Sequence, residues 1–413
     1  FTRLLSDVQI AGPGFINFRL NVGSKFAVIA DILTKKDAYG SSDACRGKRV
    51  LLEYVSANPT GPLHLGHARQ GALGDVLSRI MATQGYGVTR EFYYNDAGVQ
   101  IDNLTLSVQA RAKELQGLAK PEDFPENGYH GDYIFEIARD YLKGMRITAP
   151  DQTVIESTGD INDTQAVRRY AVAFLRNEQD ADLKALGVAF DNFYLESSLY
   201  TEGRVERAVK AIIDSGYTYE ADGALWLKTT DPAFADFHDD KDRVMRKKDG
   251  HYTYFVPDVA YHLTKFERGF DRVINLWGAD HHGYIARVKA AVNALGFDAD
   301  KLEVLLLQMV RLYRNGDIVK LSKRTGETIT LRELMDEVGV DAARYFFCMR
   351  SLDSQLDFDM TLATEKSNEN PVYYIQYAHA RICSIARQLA EAGIEAVALD
   401  ELKLDTLQAP EEL

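Results

Sequence analysis

Cysteine is scarce in this chain: its 413 residues contain only three, and they lie far apart. Cys45, Cys348 and Cys383 show no Cys-x-x-Cys spacing, so the sequence predicts no zinc site and favours a reducing, cytoplasmic compartment. Long apolar runs are missing too, because no stretch of about 18 apolar residues occurs. The first residues carry no signal-peptide pattern. We therefore expect no membrane partner.

An excess of positive charge is absent as well. The chain carries 48 Lys and Arg against 61 Asp and Glu, a formal net charge of −13. This net negative charge argues against a protein that coats nucleic acid without specificity. Its simplest effect is to keep the protein soluble. A specific RNA partner stays open, since such binding needs only a local basic face. With 46% hydrophobic residues, the chain is long enough for a large core in two or three domains.

The most informative stretch begins within an apolar strand predicted at residues 50–55. His64-Leu-Gly-His67 comes soon after it and leads into a helix predicted over residues 68–83. A helix start directs free backbone N–H groups and the positive end of its dipole at a negative ligand. Gly66 would let a ligand approach the backbone closely, and histidines three apart share one helical face. Between strand and helix lie three residues that do not continue a strand, Pro59, Gly61 and Pro62.

This stretch, from Glu53 to Gly71, resembles the HIGH signature of class I aminoacyl-tRNA synthetases. Its letters Glu-Tyr-Val-Ser-Ala-Asn-Pro-Thr-Gly-Pro-Leu-His are similar to the version found in arginyl-tRNA synthetases. Taken alone, the histidine pair also fits a structural or metal-binding pair, and the turn fits a phosphate site of another nucleotide-binding fold. We expect no metal site on the protein itself.

A second, basic signature is Lys320-Leu-Ser-Lys-Arg324, which resembles the KMSKS loop of the same class. Leu321 replaces the Met of the family pattern and Arg324 replaces its Ser, while both lysines are kept. Lysine is a compact point charge that suits a triphosphate when it lies on a mobile loop. Alone, such a pentad is typical of a solvated surface loop. Gly278-Ala-Asp-His281 stands between the two signatures, in the family's order.

The elements around these motifs predict an α/β fold: a Rossmann-type parallel sheet catalytic domain, split by a mainly helical insertion and followed by the start of an all-α domain. A strand at residues 88–94 would complete a βαβ unit, so it should run parallel to the first strand. The aromatic run 251–257 is predicted as a strand that ends where Asp258 begins a helix. Ile16, Phe18 and Leu20 alternate as in a half-buried strand.

Five domain segments follow from this pattern and from the resemblance, and the chain has the character of a protein trimmed at both ends. They are a remnant of an amino-terminal appended domain (1–25), the first half of the catalytic domain (26–104), the helical insertion (105–190), the second half with the Lys-Leu-Ser-Lys-Arg loop (191–350), and the connection to a helical anticodon-binding domain with its start (351–413).

The resemblance implies the site residues. The catalytic residues are His64, His67, Lys320 and Lys323. The ATP-binding residues are Pro59, Gly61, His64, Gly66, His67, Gly278, Asp280, His281, Lys320, Ser322 and Lys323. The arginine-binding residues are Glu53, Asn58, Tyr254, Asp258 and His281.

Residue chemistry allows these assignments but leaves alternatives. A guanidinium ligand calls for carboxylates, and Glu53 is an acid inside an apolar strand, which is costly unless it is paired. An internal salt bridge is the other interpretation of Glu53, and a helix cap that of Asp258. Polar residues after the second strand, Asn95, Asp96 and Gln100, either belong to the site or cap a helix.

The function implied by the resemblance is activation of L-arginine with ATP to arginyl-adenylate, followed by transfer to tRNA(Arg). Mg²⁺ would accompany the leaving pyrophosphate, activation would need bound tRNA, and we expect a monomer. One alternative is another class I synthetase or a small nucleotidyltransferase with the same turn. A non-catalytic tRNA-binding relative is a second alternative, although such a protein should have lost histidines or lysines that are all present here.

Overall fold

The computed structural model describes residues 4–319 and 329–395, together with 397–398, 401–403, 406–407 and 409; of residues 22–25 and 27 it describes the backbone alone. The chain divides into two compact units. The larger unit is Cys45–Tyr374, and the smaller combines Phe1–Ala44 with Ile375–Leu413. Among the described residues, no helix has the length and apolar character needed to cross a membrane.

The strands of the described chain are β1 Leu5–Ala11, β2 Phe15–Leu20, β3 Arg49–Glu53, β4 Gly87–Tyr94, β5 Arg146–Thr148, β6 Val154–Glu156, β7 Asn192–Leu195, β8 Thr218–Ala221, β9 Ala224–Leu227, β10 Arg243–Arg246, β11 Arg272–Gly278, β12 Leu302–Leu307, β13 Val310–Arg314, β14 Asp317–Val319 and β15 Leu356–Asp359. The α-helices are α1 Val22–Lys35, α2 Leu65–Thr83, α3 Val99–Leu115, α4 Asp132–Leu142, α5 Thr164–Ala185, α6 Glu196–Thr201, α7 Arg204–Asp214, α8 Phe255–Glu267, α9 Ile285–Ala294, α10 Leu331–Val338, α11 Val340–Cys348, α12 Met360–Thr364 and α13 Pro371–Glu391.

The larger unit is built on a parallel sheet with the strand order β12-β11-β3-β4-β7. The strand order reverses between β3 and β11, which are neighbours in the sheet although far apart in sequence. In doubly wound sheets, ligands bind at the carboxyl ends of the strands beside such a reversal. The predicted Rossmann-type sheet and its parallel pairing are therefore confirmed.

Both faces of this sheet are covered, which explains why β3 is apolar without alternation. Val50 and Leu52 belong to the core cluster that also contains Leu334 and Phe347 of α10 and α11. Leu51 points to the opposite face, into the cluster built with α7, α8 and α9. Successive side chains of a strand face opposite sides, so both layers bury apolar surface against one strand.

The chain between β4 and β7 contains three long helices, α3, α4 and α5, and the small β5–β6 hairpin. These helices share a hydrophobic core of their own, which includes Ile134, Tyr141, Tyr170 and Leu175. We call residues 99–185 the insertion. Its mainly helical character agrees with the sequence, although the first helix starts before the predicted boundary at residue 105.

Two local predictions are wrong. Residues 251–257 do not form a strand, because α8 already begins at Phe255 and Pro257 occupies its first turn. Proline is tolerated there, since the first N–H groups of a helix lack an intrahelical partner. Residues 15–20 form strand β2 as predicted, but all six are exposed rather than half-buried. This hairpin pairs its backbone with β1, and two strands alone provide no second layer that buries side chains.

Candidate active site

The chain leaves β3 through a strained reversal. Val55 and Ser56 have φ angles of 70° and 41°, in the left-handed region that β-branched residues in particular avoid. The N–H of Val55 donates to Oε1 of Gln70 at 3.0 Å, and the N–H of Tyr93 donates to Oγ of Ser56 at 3.2 Å. Oγ of Ser56 donates in turn to Oε1 of Glu53 at 2.8 Å. Because the bonding groups come from α2, β3 and β4, tertiary structure imposes this reversal.

Helix α2 begins at two stacked histidines. His64 is its N-cap, and the ring centroids of His64 and His67 lie 3.8 Å apart. The N–H of Gly66 donates to Nδ1 of His64 at 3.1 Å, and the N–H of His64 donates to Nδ1 of His67 at 3.4 Å. An Nδ1 atom that accepts a bond places the proton of a neutral imidazole on Nε2. Each histidine therefore offers an Nε2–H donor.

The two rings are neutral near pH 7. His64 keeps an exposed edge, but desolvation by the surrounding turn lowers its pKa. Burial, and next the neighbouring His64, lower the pKa of His67 well below its ordinary value of 6.5. Neutral N–H donors can stabilise negative charge that develops during a reaction, and they do so without a permanent cation. Permanent positive charge for a triphosphate would have to come from elsewhere.

A cavity of about 350 Å³ lies at the carboxyl ends of the central strands. Its lining includes Glu53 at the end of β3, Asn95 after β4, Glu196 after β7 and Gly278 at the end of β11. Asp258, in the first turn of α8, adds a third acid. We call this the carboxylate cavity, defined by Glu53, Glu196 and Asp258. It occupies the position beside the strand-order reversal where ligands of such sheets bind.

Two of its acids are held by tyrosines. The hydroxyl of Tyr284 donates to Oδ2 of Asp258 at 2.5 Å, and that of Tyr93 donates to Oε2 of Glu196 at 2.9 Å. Among the described residues, neither acid has an ion-pair partner within 4.0 Å, although Lys265 acts on Asp258 from farther away. Burial raises the pKa of Asp258 to about 6 and that of Glu196 to about 7. Such carboxylates would become fully charged once a cation enters.

The third acid is already paired. Glu53, 6% exposed, accepts from the fully buried ammonium group of Lys265. Lys265 also donates to Oδ1 of Asn275 at 2.8 Å, and Nδ2 of Asn275 lies 2.9 Å from Nε2 of His262. Nδ1 of His262 lies 2.7 Å from the carbonyl oxygen of Asp258. Because Asn275 donates to Nε2, Nδ1 carries the proton. This series of hydrogen bonds connects α8 with β3 and β11 beside the cavity.

A second cavity, of about 280 Å³, lies beside the two histidines. We call it the histidine cavity; His64 and His67 form one wall, and Tyr129 and Tyr133 of the insertion form another. His67 and Asn58 line both cavities. The two spaces therefore meet at the turn that follows β3.

The structure brings together most of the residues proposed from the sequence. Glu53, Asn58, Asp258, Gly278 and His281 line the carboxylate cavity, while Gly61, His64 and His67 line the histidine cavity. Pro59 is buried in the turn between them, and Gly66 follows the N-cap of α2. Asp280 is exposed, and its Oδ2 lies 3.6 Å from Nε2 of His281.

Tyr254 does not join the cavity. It precedes α8, its side chain is 74% exposed, and it is not part of the lining. The helix begins at Phe255, so the alternation expected of a strand does not turn Tyr254 inward. Tyr93, Tyr261 and Tyr284 provide the aromatic walls instead.

The lysines of the second signature, Lys320 and Lys323, and the intervening Ser322 lie outside the described residues. The described chain resumes at Ile329, and its first residues are bound to the first signature. Thr330 forms a β-bridge with His64, and the N–H of Leu331 donates to the carbonyl of Leu63 at 2.7 Å. Thr330 also lines the histidine cavity.

Several residues of the site were not found from the sequence. Glu196 directly follows the short strand β7, and its place after a parallel strand is the same signal that pointed to Asn95. Lys265 lies in the middle of α8 and has no pattern of its own. Asp96, considered for the site, instead accepts from the backbone and hydroxyl of Ser197.

Comparison with known proteins agrees with this geometry. Residues 28–354 match the family model of class I (R) tRNA synthetase catalytic domains. An arginine–tRNA ligase of Burkholderia orbicola (strain MC0-3) is 54% identical, over 94% of this chain and 68% of the relative. One from Bordetella petrii is 53% identical, over 99% of this chain and 72% of the relative. A solved arginyl-tRNA synthetase structure from Campylobacter jejuni has 35% identity and a TM-score of 0.81, over 92% of this chain and 80% of the other.

The parallel sheet, the histidine turn and the family match define a class I aminoacyl-tRNA synthetase catalytic domain. Within that class, the chain belongs to the arginyl-tRNA synthetases, the arginine–tRNA ligases. The resemblance found in the sequence is thereby confirmed.

Proposed function

We propose that this site activates L-arginine with ATP and transfers it to tRNA(Arg), with the guanidinium group in the carboxylate cavity. The observation that supports this proposal most directly is that Asp258 and Glu196 line the same cavity, and neither has a cationic partner within 4.0 Å in the described chain. Carboxylates and a guanidinium form charge-assisted hydrogen bonds, often in a fork geometry. Glu53, already paired with Lys265, would meet the α-amino end or shape the floor.

The reaction needs no covalent enzyme intermediate. A carboxylate oxygen of arginine attacks the α-phosphorus of ATP, a C–O–P linkage forms, and the bond from the α-phosphorus to the bridging oxygen of pyrophosphate breaks. Positioning and charge stabilisation carry such a step. The Nε2–H groups of His64 and His67 would donate to phosphate oxygens, and Lys320 and Lys323 would supply positive charge. The ribose hydroxyl of the terminal tRNA nucleotide then attacks the adenylate carbonyl, and AMP leaves.

We expect Mg²⁺ to arrive bound to the phosphates of ATP. Among the described residues, no group of three His, Cys, Asp or Glu could hold a metal ion. Mg²⁺ typically keeps several waters and binds substrate phosphates rather than an all-protein cage.

The test is arginine-dependent ATP–pyrophosphate exchange in the presence of tRNA, on the intact protein. Asp258→Asn should raise KM for arginine about 10- to 100-fold, because a hydrogen bond to a charged group contributes about 1.5–3 kcal/mol. Asp236→Asn changes an exposed acid outside this cavity and is the matched control. Exchange with a different amino acid but not with arginine would refute the assignment.

A further inference from the structure

The carbonyl groups of the turn after β3 are held by the insertion. We call residues 58–61 the signature turn. Nε2 of Gln179 donates to the carbonyl oxygens of Asn58, at 3.0 Å, and of Gly61, at 2.9 Å. The hydroxyl of Tyr133 donates to the carbonyl oxygen of Thr60 at 2.8 Å. Two side chains from α4 and α5 thus bind three of the four carbonyl groups.

Both side chains are buried against the turn. Gln179 is 1% exposed and Tyr133 is 5% exposed. A Cβ atom on Gly61 would lie 3.1 Å from the hydroxyl oxygen of Tyr133, so the ring touches the turn directly. Within the described residues, Oε1 of Gln179 is buried without a hydrogen-bond partner. The nitrogen of the same amide binds two carbonyl groups, so Gln179→Leu would leave both carbonyl groups without this donor.

The signature turn controls both cavities. The side chain of Asn58 lines the two spaces, and the turn leads through Pro62 and Leu63 to the N-cap His64. Proline at residue 59 supplies no N–H. Within the turn, the N–H of Thr60 donates to the carbonyl oxygen of Asn58 at 2.8 Å. The carbonyl bonds from the insertion therefore supply much of what fixes this backbone. A shift of about 1 Å in a reacting group can lower a rate about 100-fold.

We propose that Gln179 and Tyr133 are positioning residues: through the signature turn they fix the two histidines for the activation step. This role rests on the proposed function. It gives the insertion a part in the reaction, whereas its sequence indicated only a structural element. Asp258 of α8 and Glu196, the first residue of α6, form the guanidinium end of the carboxylate cavity. The side chain of Asn58 is held separately, because its Nδ2 donates to Oε1 of Gln100 at 2.6 Å, so arginine binding should not depend on Gln179 and Tyr133.

Two variants and two matched controls test this role. Tyr133→Phe removes a single hydroxyl group, and Gln179→Leu removes the amide at similar volume. Tyr170→Phe is the control for the first, because that hydroxyl is buried in the same core and has no hydrogen-bond partner among the described residues. Gln109→Leu is the control for the second, because its amide donates to Ile161 at 2.8 Å, inside the insertion.

We expect kcat of ATP–pyrophosphate exchange to fall about tenfold or more in Tyr133→Phe and Gln179→Leu. Kd for arginine, measured by calorimetry, should stay within about twofold of the parent protein, and the controls should keep kcat. The thermal midpoint of each variant should stay above the assay temperature, so that a loss of kcat does not reflect unfolding. The mild Tyr133→Phe change keeps the test decisive if Gln179→Leu folds poorly.

Unchanged kcat in Tyr133→Phe would overturn the role of Tyr133 as a positioning residue. A loss of kcat that is matched by an equal loss of arginine binding would overturn it too, since it would indicate general damage. A parent protein that lacks arginine-dependent exchange would instead refute the proposed function, so the two failures are distinguishable.

Discussion

The carboxylate of Glu53 and the ammonium group of Lys265 form an ion pair across 212 positions of sequence, between β3 and α8. Lys265 is fully buried, and Glu53 is nearly so. Such a pair leaves the cavity with two acids rather than three for a cationic ligand. The internal salt bridge that the sequence allowed for Glu53 is therefore present, while a contact of Glu53 with arginine stays a prediction.

Lys265→Met should lower the free energy of unfolding by about 3–5 kcal/mol, because it leaves Glu53 as a buried charge without its partner. Urea unfolding followed by circular dichroism measures this loss. Lys210→Met is the control: Lys210 pairs with Asp214 at the surface, where such a pair contributes less than about 1 kcal/mol. Adding Glu53→Gln to Lys265→Met should recover part of the loss. An equal free energy of unfolding in Lys265→Met and Lys210→Met would contradict the role of the buried pair.

Arginine affinity should weaken as pH falls from 8 to 6. Burial raises the pKa of Glu196 to about 7 and that of Asp258 to about 6, so the empty cavity takes up protons across this range. A bound guanidinium favours the charged carboxylates, and binding should therefore release protons. Calorimetry in buffers of different ionisation enthalpy measures the number released. Glu196→Gln should reduce it at pH 7, and an unchanged number would argue against contact between Glu196 and the ligand.

Stability should also fall in acid because of His262. Burial, with Lys265 next, lowers its pKa from 6.5 to about 3, so the folded state keeps this ring neutral. The unfolded chain takes up the proton below pH 6.5, and the contribution is lost as pH falls from 6.5 towards 3. At pH 5 the loss amounts to about 2 kcal/mol. His262→Gln should flatten the profile of unfolding free energy against pH, whereas the exposed His251→Gln should not; identical profiles would refute this origin.

Gly74 in α2 should not tolerate a side chain. A Cβ atom there would lie 2.3 Å from Cγ of Tyr54, a fully buried residue directly after β3. Overpacking of this kind costs about 1–3 kcal/mol, so Gly74→Ala should lower the thermal midpoint by several degrees. Gly283→Ala meets no atom within 4 Å and is the control. A midpoint equal to that of the control would show that α2 shifts freely on the sheet.

Features that depend on short-range sequence patterns could be predicted from the sequence. The strand, proline–glycine break and histidine helix start after Val50 all depend on neighbouring residues, and the structure reproduces them with β3 and α2. The strand prediction for the aromatic run 251–257 is wrong, because Phe255 is buried as the first residue of a helix that packs on the sheet. Local propensity could not distinguish that packing from a strand.

The sequence by itself determined the class of fold, the family and the positions of the histidine turn and Asp258, because these follow from short-range spacing and order. Only the tertiary structure decided which groups meet: Glu53 with Lys265, Tyr284 with Asp258, and Gln179 with the signature turn. Each of these contacts joins residues far apart in the chain. Their formation depends on the stacking of helices on both sheet faces and of the insertion on the turn, which no local spacing encodes.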